Sequence, residues 1–304
     1  MDQAALKTLA KESLEAGKTP AAIAQELDNG ANAGEVAQAL YAGTSLNALA
    51  VAKVLYAKDG LALSAADVAQ ALYAKDGLNL SAEAAAKALL DMGLSINQVA
   101  KALYAPDGLD LRAEEVAWAL YGEDDSQHDD SQYDEIAGAL YSPDGADVSG
   151  AGVAQALLGL ADDSDPANQW PLPDEVARAL HDGAGMSLIE IAQAMFGPRF
   201  QVDGVVELFS SYDGINAEAA DIAQMLASPE PFNLSPAAVG RALGDVFDAE
   251  DVAQALHDGL GLDAQDVAQA LKPSHEIQIR MVGGPHPATP PKPPSRDQDG
   301  PDIF

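Results

Sequence analysis

The chain has 304 residues, with 48 acidic against 16 basic side chains and a formal net charge of -32. Half of it is hydrophobic, 48%, which supplies a core and excludes disorder of the whole chain. The charge argues against nucleic acid and anionic membranes as partners, because both are bound through Lys and Arg. Zero cysteines remove disulfides, thiolate metal sites and Cys nucleophiles together. No apolar run is long enough to span a bilayer, and the opening Met1-Asp2-Gln3 lacks the basic start of a secretory signal. The cytoplasm is the expected location, with a C-terminal secretion address left open.

The first predicted element, a helix from about Gln3 to Ala16 stopped by Gly17, is more polar than the repeats, as the exposed end of a stack should be. Residues 1–18 are read as an N-terminal cap. Residues 19–272 then repeat one phrase: an aliphatic residue, Ala, a variable residue, Ala and Leu. In full or degenerate form it begins at sixteen positions: 23, 36, 51, 68, 85, 99, 116, 136, 153, 176, 191, 205, 222, 239, 252 and 267. The spacing is 13 to 23 residues and most often 17, shorter than tetratricopeptide, ankyrin, HEAT or leucine-rich periods.

Each unit carries its own helix signals. Ser64 with Asp67, and Asp263 with Asp266, read as capping boxes. Thr19-Pro20 and Ser235-Pro236 place a capping oxygen before a proline at the first helical position. After the phrase comes Asp-Gly, at 59–60, 76–77, 107–108, 144–145, 182–183, 213–214 and 258–259, where glycine is expected to take the left-handed conformation that closes a helix. Val68 and Leu72 share one face, widened by Ala69 and Ala71, with Gln70 outward. A helix of about ten residues does not stand alone in water, so packing between units must hold it. The prediction is an all-α solenoid of about sixteen short helices, period about 13–17 residues. The competing leucine-rich strand, suggested by Leu61-Ala62-Leu63 and its relatives, fails on wandering register and Ala content. Those leucines are read as loop residues tucked against the next helix.

Two long spacings hold acidic insertions, at about 122–133 and 161–172. Between Arg112 and Arg178 there is no Lys or Arg, against sixteen Asp and Glu; this is the most negative stretch. From Pro273 the chain is too proline-rich to pack, and 273–304 is expected to be a disordered tail.

Chemistry is thinly represented. Five histidines are scattered, and no metalloprotease, P-loop, nucleophile-elbow or dinucleotide motif occurs. His181 and His257 sit at predicted helix ends, where the dipole accounts for them. The Asp-Gly sites lack the ligand spacing of an EF-hand. No catalytic residue, metal or cofactor is expected, and the chain is not read as an enzyme.

The binding candidates are aromatic and acidic. Tyr41, Tyr56, Tyr73, Tyr104, Tyr121 and Tyr141 directly follow the phrase and are expected to form a ladder on one face, either covering loops or binding a partner. The phrase's centre holds mostly Gln, read as a solvated row. Trp118 replaces Gln there, beside an insertion carrying Asp124, Asp125, Asp129 and Asp130, and suggests a local contact site. Three functions compete. The favoured one is a non-enzymatic scaffold for a protein with a basic surface, an argument from architecture. The second is a DNA-mimic inhibitor of a nucleic-acid-binding protein, separable by its salt dependence and by DNA competition. In the third the acidity suits a high-salt environment, separable by helix loss at low salt.

Overall fold

Phrase and helix coincide. In the computed structural model, which describes residues 2–122, 130–160, 172–196, 202–211 and 214–272, α1 (Gln3–Glu15) is followed by one helix for each of the sixteen phrases. These are α2 (Pro20–Asp28), α3 (Ala33–Thr44), α4 (Ala48–Tyr56), α5 (Ala65–Tyr73), α6 (Ala82–Asp91), α7 (Ile96–Tyr104), α8 (Ala113–Tyr121) and α9 (Asp130–Tyr141). Then come α10 (Gly150–Leu158), α11 (Pro173–Arg178), α12 (Leu188–Phe196), α13 (Val202–Ser210), α14 (Ala219–Ala227), α15 (Pro236–Leu243), α16 (Ala249–Leu260) and α17 (Ala264–Ala270). There is no strand among the described residues. The region read as a tail, 273–304, lies outside them.

The helices start where capping chemistry says they should. Ser64 accepts from the Asp67 N–H while the Asp67 carboxylate takes the Ser64 N–H and hydroxyl. Asp263 accepts from the N–H groups of Gln265 and Asp266, a one-way cap rather than the expected box, since the Asp266 carboxylate does not bond back to the Asp263 N–H. Thr19 accepts from Ala22 N–H, and Pro20 and Pro236 occupy first-turn positions, but the expected cap at Ser235 does not form, its side chain accepting no N–H of the first turn. Further reciprocal boxes form at Asn32 with Glu35, Ser95 with Gln98 and Ser187 with Glu190. Each cap is worth about 1 kcal/mol, too little to hold nine residues in a helix.

Burial supplies the rest. Val68, Ala69 and Leu72 are 0% exposed, and the equivalents run through one continuous core from Leu6 to Ala270. Full burial of each Val or Leu contributes about 1.5–3 kcal/mol. From α1 to α10 every helix packs on its successor and on the helix after that: α3, α5, α7 and α9 form one row, while α4, α6, α8 and α10 form the other. The result is a two-row solenoid, with α1 packed on α2 and α3 as its first layer.

The loops hold one correction. The glycines of Asp-Gly at 60, 77, 108 and 145 are not left-handed. The left-handed residue is the middle of the following Leu-x-Leu or its variant: Ala62 (φ 54), Asn79 (φ 53), Asp110 (φ 54) and Asp147 (φ 56). Leu61 and Leu63 donate their N–H groups to the carbonyls of Val54 and Leu55, at 3.4 and 3.0 Å, while Ala62 bonds Ala57 at 3.0 Å. The same bonds return at 78–80, 109–111 and 146–148. They satisfy the carbonyls that a helix end leaves open. Glycine is required at 60 for space: a Cβ there would lie inside the Val54 carbonyl oxygen, and at 77 inside that of Ala71. Leu61, Leu63, Leu78 and Leu80 are partly buried and pack against the core.

Candidate functional site

Trp118 lies at the centre of the α8 phrase and is 46% exposed. Its ring meets Tyr121 edge-on, with centroids 6.4 Å apart and planes at 87°. Tyr121 in turn stacks on Tyr133 of α9 at 5.6 Å and 9°, and the two hydroxyls are 3.3 Å apart. Both geometries suit the quadrupoles of the rings. Gln132 Nε2 donates to the Tyr121 carbonyl at 2.8 Å. The end of α8 and the start of α9 are thus clamped across the acidic insertion by Tyr121, Tyr133 and Gln132, leaving much of Trp118 open to solvent. Tyr133, 4% exposed, is not among the sequence candidates. Its signal is an aromatic three residues before the phrase at Ile136, one helical turn away on the same face.

The tyrosine ladder does not form on one face. Tyr41, Tyr73, Tyr104 and Tyr141 belong to one row of helices, Tyr56 and Tyr121 to the other. Burial divides them again: Tyr41, Tyr56 and Tyr73 are exposed, while Tyr104, Tyr121 and Tyr141 pack against the core. A single-helix repeat alternates rows at every unit, so equivalent positions serve opposite rows. Only Tyr121 of the six joins Trp118 in a described ring cluster. Asp124, Asp125 and Asp129 lie outside the described residues; Asp130 opens α9.

The glutamine row is also more than solvated. Gln25 Nε2 donates to the carbonyls of Asp59 and Gly60 at 3.0 and 3.1 Å, and Gln70 Nε2 to those of Asp107 and Gly108 at 3.1 and 2.8 Å. The amide at the centre of one phrase therefore holds the Asp-Gly turn of the next helix in its row. At the α9–α11 joint, Gly138 takes the place of Gln, and a Cβ on it would press on the carbonyl of Gly183. There α11 runs into a π-helical turn, Ala179–Gly183. Arg178 reaches Asp134 at 3.9 Å.

Several carboxylates are committed to structure. Glu115 accepts the Arg112 N–H at 2.9 Å and faces its guanidinium at 3.5 Å, and these bonds hold its carboxyl below the usual range. Glu190 is lowered in the same way by the N–H and hydroxyl of Ser187. Glu26 is lowered first by Lys18 at 2.6 Å and then by the Ser13 hydroxyl. Glu175 takes the Leu172 N–H at 2.8 Å. The histidines serve locally: His257 Nδ1 lies 2.6 Å from the Leu262 carbonyl and His181 Nδ1 2.7 Å from Asp182. Among the described residues no three His, Cys, Asp or Glu side chains converge to hold a metal. No helix among them is long and apolar enough to cross a membrane.

No protein-family model, curated protein or solved structure matches the chain. The Trp118–Tyr121–Tyr133 cluster is accordingly weighed on its own chemistry.

Proposed function

We propose that the protein is a non-enzymatic interaction scaffold whose middle units bind a protein partner with a basic surface. The observation that carries this reading is Trp118, half exposed on α8 and buttressed edge-on by Tyr121, inside an interval with sixteen Asp and Glu and no Lys or Arg. Tryptophan is among the commonest anchors of interfaces, and its ring face attracts a partner's Arg or Lys. Surrounding carboxylates would speed encounter and favour cationic partners.

The alternative, imitation of a nucleic-acid duplex, requires carboxylates in evenly spaced rows. Glu35, Asp67, Glu115, Glu175 and Glu190 instead fold back onto the backbone at helix starts. That use of acidic residues favours the scaffold.

The test is capture from the source lysate in low and moderate salt with the wild-type chain and Trp118→Ala. A specific partner should be retained by the wild type and lost about 30-fold or more in the variant, as for a central anchor, with circular dichroism unchanged. Capture indifferent to Trp118, or displaced by duplex DNA, would overturn the reading.

A further inference from the structure

The stack contains a second surface of the opposite character. Grooves recur at one place in the repeat, between the first turn of a helix and the middle of the next helix in its row. They occur at α5/α7, α12/α14 and α14/α16, with volumes of about 690, 490 and 310 Å³. The first turn supplies Ala65 and Ala66 to the α5/α7 groove, Leu188 and Ile189 to the second, and Ala219 and Ala220 to the third, where Phe247 joins the lining.

Their charge differs more than their size. The α12/α14 groove is lined by Glu218 and Asp221, and the α14/α16 groove by Glu218, Asp251 and Asp258. In the α5/α7 groove the position of Asp221 is taken by Gln98, the position of Gln224 by Lys101, and Lys58 is added from the loop after α4. One carboxylate, Asp107, shares its wall. Among the described contacts, neither ammonium group has a carboxylate within 4.0 Å or a hydrogen-bond acceptor. Two unengaged ammonium groups over an alanine floor, in a chain of charge -32, form a local site that complements anionic, partly apolar chain.

We propose that the α5/α7 groove docks an extended acidic segment of a protein partner, with carboxylates at Lys58 and Lys101 and an apolar side chain seated on Ala65 and Ala66. The site is separate from Trp118 and calls for the opposite ligand charge. It also carries a distinctive salt response. At low ionic strength the field of the whole molecule repels an acidic peptide, whereas a Debye length of about 8–10 Å screens distant carboxylates while sparing contact pairs. Affinity should therefore pass through a maximum near physiological salt, while a basic partner at Trp118 weakens steadily as salt rises.

The experiment is fluorescence anisotropy of a dye-labelled alternating Glu-Leu peptide and its Lys-Leu counterpart, from about 20 to 300 mM salt. The wild-type chain should bind the acidic peptide saturably. Lys58→Glu/Lys101→Glu should weaken it at least tenfold, while the exposed pair Lys7→Glu/Lys11→Glu and Trp118→Ala should leave it unchanged. Both groove lysines are exposed, so helix content serves as the folding control. Absent binding of the acidic peptide, or an equal loss in the Lys7/Lys11 control, would overturn the proposal. A wild-type dimer seen by sedimentation and abolished in the groove variant would also overturn it, assigning the groove to a second copy.

Discussion

The units from α4 to α8 and those from α9 to α12 solve one joining problem in two ways. In the first group the joint is backbone: the turn after each of α4, α5 and α7 folds its Leu-x-Leu N–H groups onto the carbonyls of its own helix, and the Gln amides of α2 and α5 grip the turns after α4 and α7. In the second group the turn after α9 keeps these backbone bonds, and side chains are added to them. Tyr121 stacks on Tyr133, Arg178 reaches Asp134, and a π-helical turn replaces the Asp-Gly loop. The side-chain joint between α8 and α9 buries Tyr133 and packs Tyr121 against the core, beside the exposed Trp118.

Both groups share one continuous core, where the largest effects are expected. Leu72→Ala, at a 0% exposed position, should cost about 2–5 kcal/mol by denaturant unfolding, and Leu140→Ala, equally buried in the other region, should cost the same. A large difference would mean that the two joints, not the core, set stability. Next in size is Gly77→Ala, whose Cβ would enter the Ala71 carbonyl; an overpacking loss of about 1–3 kcal/mol is expected. A neutral result would show that the turn adjusts to a Cβ.

The opposite sign is expected three positions after Asp59. Ala62→Gly relieves a left-handed alanine, φ 54, and should raise stability by about 0.5–1 kcal/mol. If it destabilises, the Leu-x-Leu cap depends on the Ala62 side chain rather than on its backbone.

The smallest effect concerns acid. The Glu190 carboxyl is held below its usual range by Ser187, so its stabilisation is present above the ordinary carboxylate pKa and disappears as pH falls through the lower folded value. Glu190→Gln should therefore melt below the wild type at pH 7, and the two curves should converge as pH falls below the ordinary glutamate pKa of about 4.3. Parallel curves down to acid would show that the cap works without its charge.

Phrase, period and most helix starts were legible in the sequence, because each is local: Ser64 and Asp67 are three residues apart, and Val68 and Leu72 one turn apart; the helix ends were not, since the left-handed residue is Ala62 or Asn79 rather than the Asp-Gly glycine. The candidate site was half legible. Trp118 stood out as an aromatic in a Gln position, but Tyr133 did not, since its partner Tyr121 lies across an insertion whose path spacing cannot reveal. The ladder was misassigned for a related reason: the repeat specifies which residue comes after the phrase, not which row its helix enters.

The chain by itself determined one helix per phrase, its start, its buried face and the charge of each interval, because capping, periodicity and composition act over a few residues. Tertiary structure alone decided the two-row stacking, the side-chain clamp beside Trp118, the Gln grip on Asp-Gly turns and the lysines of one groove. Each of these depends on units distant in the chain being brought side by side, and that proximity comes from packing the alanine faces rather than from any local preference.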